Sequence, residues 1–279
     1  MLIKSVAIQG ILGSFHHQAA LKFFNNQLLN IIECTSFEEV CFYVREKKID
    51  FGILAIENSI VGSLLPNFSL IEKFNLNIIG EIYLQVNMNL MAISGQKLEN
   101  LHTIQSHEVA ILQSNKFLSK YQNWNLIKKL DTATCAKEIQ EKKLIGVGTI
   151  ASKFVANMYN LEILVSNIQN YSKSFTRFYI LSTKKLKTIN FNKVSLYFSV
   201  EHKTGSLVKL LNSMDQLNIN MTKIQSIPLE SNPFKYSFYI DLLIKNYENY
   251  YKLIDQIKKN SSHFKILGEY KEDILFKNK

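Results

Sequence analysis

The chain has 279 residues, of which 47% are apolar and 20% charged, enough to bury a full core and to form one large domain plus a small one, which excludes a disordered chain. Its formal net charge of +10 comes from lysines spread along the whole length, without a basic run or an interleaved aromatic ladder. The clustered footprint of a nucleic-acid binder is therefore missing, while a diffuse field remains that would attract a small anion. Cys34, Cys41 and Cys135 are odd in number and far apart, and neither they nor His16, His17 and His107 follow a metal-ligand spacing, so buried free thiols, a reducing compartment and no metal site are expected. The apolar start is too short for a signal peptide and no later segment could span a bilayer, which predicts a soluble, cytoplasmic protein with no membrane partner.

One event recurs from the N-terminus: a short apolar run, a polar or glycine turn, then an amphipathic stretch. Residues 6–8 lead through Gly10 and Gly13-Ser14 into a helix over 15–28. The run 51–56 ends at Glu57-Asn58-Ser59 and passes Gly62-Ser63 into a helical stretch through Ile71. Residues 103–105 meet Ser106-His107, and the helix that follows from Ser106 carries Gln113 two turns on, on the same face. Leu130 gives way to Asp131-Thr132-Ala133-Thr134, and a strand over 144–147 precedes Gly148-Thr149 and another helix. Such alternation predicts an α/β layer structure, in which strand C-termini form the ligand crevice and each following helix offers unpaired N–H groups. Ser, Thr and Asp at these junctions read either as ordinary helix caps or, several together, as a small-anion site.

Only two of the 33 basic residues are arginines, and one lies in Ser174-Phe175-Thr176-Arg177-Phe178-Tyr179. A guanidinium grips a carboxylate through two parallel hydrogen bonds, so this run reads as an anion-handling spot. The alternative is a strand with Phe178 and Ile180 toward a core and Arg177 and Tyr179 on the other face. After Leu181 the polar stretch 182–187 reads as a linker. A second module follows: strand 194–200, helix 206–217, strands 221–227 and 236–244, helix 247–258 and strand 264–270, the βαββαβ order of a ferredoxin-like unit.

These residues resemble the prephenate dehydratase family over nearly the whole chain. Residues 1–185 are similar to its catalytic domain through Gln9-Gly10-Ile11-Leu12-Gly13-Ser14-Phe15 with Ala19-Ala20, Ile56-Glu57-Asn58-Ser59 with Gly62-Ser63, Ser106-His107 with Gln113, and Thr176-Arg177-Phe178. Residues 194–271 resemble the ACT regulatory domain through Gly205-Ser206-Leu207 and the stretch from Asn232-Pro233-Phe234 to Phe238-Tyr239-Ile240-Asp241. The resemblance implies a two-lobed, periplasmic-binding-protein-like α/β catalytic domain followed by a ferredoxin-like ACT domain. The implied activity is that of a carbon–oxygen lyase converting prephenate to phenylpyruvate in L-phenylalanine biosynthesis, without cofactor or metal. A homodimer or homotetramer built partly through ACT pairing is also implied, a role the alternating face of 237–244 would suit.

In that frame Thr176 matches the essential threonine, with Arg177 and Phe178 beside it as catalytic residues, Arg177 as electrostatic support that either grips the substrate or braces the pocket wall from behind. Glu57, Asn58, Ser59, Ser106, Gln113, Asp131 and Thr132 are the expected substrate-binding residues. An L-phenylalanine effector would meet Gly205, Ser206, Leu207, Gln225, Ser226 and Pro228. Here Gln225-Ser226-Ile227-Pro228 replaces the family's Glu-Ser-Arg-Pro, so a weakened or altered effector response is expected. Ser106-His107 also runs into Glu108-Val109 where the family has Pro-Gln. Arogenate dehydratase, acting on the amino analogue, and a non-catalytic amino-acid sensor are the competing readings.

Overall fold

The computed structural model describes residues 3–186, 188–229 and 232–273; the side chains of 229 and 232–234, and with them the Asn232-Pro233-Phe234 match, lie outside the description, as does linker residue Lys187. The first lobe begins with β1 (Lys4–Gln9), whose Val6, Ala7 and Ile8 are wholly buried. It continues through α1 (Phe15–Phe23), β2 (Leu29–Cys34), α2 (Phe37–Arg45), β3 (Phe51–Asn58), the two-residue β4 (Gly62–Ser63), α3 (Leu65–Lys73) and β5 (Asn77–Gln85). Ser14 and Ser36 cap α1 and α2 by accepting from His17 N–H and Glu39 N–H, satisfying donors the helices leave unpaired. The second lobe holds β6 (Asn89–Ile93), β7 (Thr103–His107), α4 (Glu108–Gln113), α5 (Asn115–Leu118), β8 (Asn125–Lys129), α6 (Thr132–Lys142), β9 (Val147–Ala151), α7 (Lys153–Met158) and β10 (Leu161–Val165). The chain then returns as β11 (Phe175–Ser182), inserted antiparallel between β3 and β5.

The first sheet therefore has the order β2-β1-β3-β11-β5, and the second β10-β6-β9-β7-β8. Two crossovers join the lobes, held together where Val86 N–H donates to Ser174 O at 2.7 Å and Ile168 N–H to Met88 O at 2.8 Å. Two expected boundaries move. The helix over 15–28 stops at Phe23, because Asn25 and Asn26 adopt φ of 52° and 55°, a left-handed turn that asparagine tolerates. The strand expected over 144–147 lies at Val147–Ala151: Lys143 and Gly146, at φ of 51° and 73°, hold the chain in a turn until then. Ser106 and His107 end β7, and α4 follows directly at Glu108 with His107 as its cap, the imidazole Nδ1 accepting from Val109 N–H at 3.2 Å.

The third unit comprises β12 (Lys193–Val200), α8 (Ser206–Gln216), β13 (Asn220–Leu229), β14 (Asn232–Leu243), α9 (Tyr247–Asn260) and β15 (Ser261–Tyr270), in the antiparallel order β13-β14-β12-β15. The βαββαβ reading holds, since α9 buries Tyr250, Leu253, Ile254 and Ile257 at helical spacing. One face of this sheet packs Phe198, Ile240 and Leu242 against α8 and α9. The other face packs Tyr197, Tyr239, Leu267 and Tyr270 onto Leu54, Ile56, Phe68, Ile78 and Tyr179 of the first lobe. At Gly268 a Cβ would lie 2.0 Å from Ile78 O, so only glycine permits this approach. Both faces of 237–244 are thus spent within the chain, and the pairing surface expected there is corrected: Tyr239 donates to Phe68 O and Asp241 meets Arg177. Among the described residues no helix is long and apolar enough to cross a membrane.

Candidate active site

A cavity of about 320 Å³ lies between the lobes. From the first lobe Gln9, Ser14, His16, Asn58, Thr176 and Phe178 line it, and from the second His107, Gln113, Asp131 and Thr132, with Val86 and Met88 of the crossover beneath. Strand register builds its centre. Thr176 and Asn58 are direct partners on β11 and β3, and Asn58 Nδ2 donates to Thr176 Oγ1 at 3.0 Å. Asn58 Oδ1 already accepts from the N–H groups of Ile60 and Val61, at 3.0 and 3.1 Å, so the amide can turn only its nitrogen toward the threonine. The Thr176 oxygen is an acceptor in this pair, which leaves its proton free to donate into the cavity.

Strand alternation also decides which expected residues miss the site. Thr176 and Phe178 face the cavity, so Arg177 between them faces away. Its guanidinium is buried: Nε donates to Glu81 Oε2 at 2.7 Å, Nη1 to Asp241 and Nη2 to the Tyr270 hydroxyl at 3.3 Å. Glu57 is turned the same way and pairs with Lys223 Nζ at 3.0 Å. Ser59 ties the end of β3 to β11, its hydroxyl accepting from Phe175 N–H at 3.0 Å. Ser106 is fully buried and donates to Ile150 O at 2.7 Å. The expectation that Glu57, Ser59, Ser106 and Arg177 meet the substrate is therefore corrected, since none of the four lines the cavity, and the turned-away Arg177 guanidinium fits bracing from behind the wall. Asn58, Gln113, Asp131, Thr132, Thr176 and Phe178 are brought together as expected.

The second lobe contributes the start of α6. Asp131 is its cap, accepting from Thr134 N–H at 2.7 Å and from the Thr134 hydroxyl at 2.5 Å. Across the cavity α1 starts at Ser14, so two helix N-termini from opposite lobes, with their unpaired N–H groups, meet the same space. No lysine or arginine lines it among the described residues, and Asp131 supplies its one carboxylate. Gln9, Ser14, His16 and His107 were not in the expected set. His16 packs edge-on to Phe178, with ring centroids 5.1 Å apart, and burial pushes its imidazole down to about 3, so it is neutral. Its Nε2 and both polar atoms of the Gln113 amide are buried without a hydrogen-bond partner. The signal that could have found His16 is its place in the first turn of a helix opening at a strand end.

The expected effector residues fall in two separate places. Gly205, at φ of 81°, starts α8, and Ser206 and Leu207 line a groove with Lys235 and Tyr236. Pro228 lines a different hollow, against Pro66 and Tyr239. Gln225 Nε2 donates to Ser226 O at 3.0 Å.

The family profile described as prephenate dehydratase matches residues 6–186. The chain belongs to the prephenate dehydratase family. It is 32% identical over 263 residues to the bifunctional chorismate mutase/prephenate dehydratase of Buchnera aphidicola subsp. Acyrthosiphon pisum, covering 92% of this chain and 68% of that protein. It is 33% identical to arogenate dehydratase/prephenate dehydratase 1, chloroplastic, of Arabidopsis thaliana, over 97% of this chain and 72% of that one. A solved structure described as GqqA, a novel type of quorum-quenching acylase, superposes with a TM-score of 0.86 at 26% identity, covering 97% of this chain and 99% of its own. The prephenate dehydratase match ends at 186, just past β11, where the strand order closes the first sheet. The chain is thus an enzyme of the lyase type with the two-lobed α/β plus ferredoxin-like fold.

Proposed function

We propose that this dehydratase converts prephenate to phenylpyruvate with Thr176 as the hydrogen-bond donor to the departing ring hydroxyl. The C–O bond breaks toward oxygen and the C–C bond to the ring carboxylate breaks toward the ring, giving carbon dioxide, water and an aromatic ring. The hydroxyl needs a proton as it leaves. The observation that carries this reading is the Asn58 amide, whose orientation compels Thr176 to present its proton to the cavity and supplies an N–H to hold a developing alkoxide. Proton donation of this kind contributes about 10²- to 10⁴-fold, less than the roughly 10⁶-fold or more that enzymes supply, so fixed dipoles must do the rest. The N-termini of α1 and α6, with Gln113 and Thr132, are suited to the two carboxylates. Phe178 offers an apolar wall to the ring.

The test is phenylpyruvate formation from purified protein and prephenate, compared with Thr176→Ala. The variant should lose turnover while still binding prephenate, and near-normal turnover would refute the role of Thr176. A second reading has one observation in its favour: among the described residues Asp131 is the cavity's one charged lining side chain, and it suits the ammonium of arogenate. Turnover on the two substrates separates them. Acyl hydrolysis is less well supported, because Thr176 is hydrogen-bonded to an amide donor where a nucleophile would need a base.

The same reading takes residues 1–185 as the catalytic domain and 194–271 as an ACT regulatory domain in a cytoplasmic homo-oligomer. With the family's glutamate and arginine replaced by Gln225 and Ile227, L-phenylalanine should inhibit weakly. Full inhibition at low phenylalanine would overturn that part.

A further inference from the structure

Each of the two strands that hold the catalytic pair sends its neighbouring residue into the third unit. Arg177 is one peptide bond from Thr176, and its guanidinium forks between Glu81 of β5 and Asp241 of β14. Lys193 of β12 closes the group by pairing with Glu81 at 2.7 Å. Two positive and two negative charges are thereby locked together with every side chain at most 3% exposed. Ser195 and Tyr179 hydroxyls also donate to Asp241, at 2.6 and 3.1 Å. On the other strand Glu57 is one peptide bond from Asn58, and Lys223 of β13 binds both Glu57 and the Ser63 hydroxyl, at 3.0 and 2.8 Å.

The ladder between these strands is interrupted at this point. Arg177 lies opposite Glu57 but Phe178 lies opposite Ala55, so Ile56 is an extra residue on β3. A bulge bends its strand and disrupts the ladder locally, so the register of Asn58 against Thr176 is held beyond it by Ser59 N–H donating to Phe175 O at 2.9 Å and, next to it, by what fixes Glu57 and Arg177. The two ion-paired anchors face each other, one on each strand, in the register pair between the bulge and the Asn58–Thr176 pair. Resting on the dehydratase reading above, we infer that Asp241 and Lys223 of the third unit are positioning residues for the Asn58–Thr176 pair, acting through Arg177 and Glu57. Neither touches the cavity. A misplacement of about 1 Å at a reacting group costs on the order of 10²-fold in rate, so small shifts of these strands are felt in kcat.

The experiment measures kcat and KM for prephenate on the full chain carrying Lys223→Met, Lys223→Arg or Asp241→Asn, with circular dichroism to show folding. Lys223→Met should lower kcat by about tenfold with KM changed less than about threefold, Asp241→Asn should lower it further, and Lys223→Arg should recover most of the loss. Glu57 is partly exposed, so Lys223→Met leaves it hydrated and the protein folded, and this arm decides if Asp241→Asn does not fold. A readout independent of turnover is the side-chain NH₂ resonance of Asn58, assigned by its loss in Asn58→Asp, which should move in Lys223→Met. An unmoved resonance with wild-type kcat overturns the inference. A wild-type protein without phenylpyruvate formation overturns the dehydratase reading, and the resonance then still tests the positioning.

Discussion

Asn58→Asp isolates the orientation of one hydroxyl. The substitution keeps the shape of the side chain and the acceptor for the N–H groups of Ile60 and Val61, so the turn after β3 should survive. What changes is the atom 3.0 Å from Thr176 Oγ1, from a donor nitrogen to an acceptor oxygen. Thr176 must then donate to that carboxylate, and its proton is withdrawn from the cavity. Loss of proton donation costs about 10²- to 10⁴-fold in kcat, which is about 3 to 5 kcal/mol in the barrier. The introduced carboxyl has an ordinary value of about 3.9, raised by a neighbouring anionic substrate. Below that value it is protonated and donates to Thr176 again, so part of the lost activity should return as pH falls through it. Steady-state rates between pH 4 and pH 8, on protein shown folded by circular dichroism, give the comparison. A variant within about threefold of wild type at neutral pH would refute the argument that Thr176 must be held as an acceptor.

Arg177→Met removes one member of a buried four-charge group and should destabilise the protein by about 3–5 kcal/mol in urea unfolding; a loss under about 1 kcal/mol would show that the group is not coupled. Gly268→Ala sets a methyl against Ile78 O and should cost about 1–3 kcal/mol while loosening the third unit from the first lobe, read as faster proteolysis between 183 and 192. His16 has a folded value of about 3 against 6.5 unfolded, so the unfolded chain binds the proton first as pH falls. Its contribution is complete above about 6.5 and lost toward 3, at up to about 1.4 kcal/mol per pH unit, and His16→Leu should flatten that part of the stability–pH curve. An unchanged slope would place the acid sensitivity elsewhere.

The third unit was legible as six elements in the right order, with β14 and β15 starting at 232 and 261 where 236 and 264 were expected, because its elements keep a readable period such as the alternation in β12 and the helical apolar stripe in α9. The first two lobes were legible as a class. Their strands are buried on both faces and carry no alternation to mark their ends: β9 is Val-Gly-Thr-Ile-Ala with Gly148 to Ala151 all buried, so the turn at Lys143 to Gly146 displaced a boundary. Strand alternation was already in the sequence and would have separated Thr176 from Arg177, but the motif drew both into one role.

The amino-acid sequence by itself determined the layer pattern and the polar junctions at Ser14 and Asp131, which follow from local period and residue chemistry, while Asn58, Gln113, Asp131, Thr132, Thr176 and Phe178 were candidates through the family resemblance. Only the tertiary structure decided what faces what. It turned Arg177 and Glu57 to the third unit, brought His16 of α1 to the wall opposite α6, and spent both faces of β14 inside the chain. The physical reason is that a strand offers two faces of equal local standing. Which face meets the cavity and which meets a partner sheet is set by how distant elements pack.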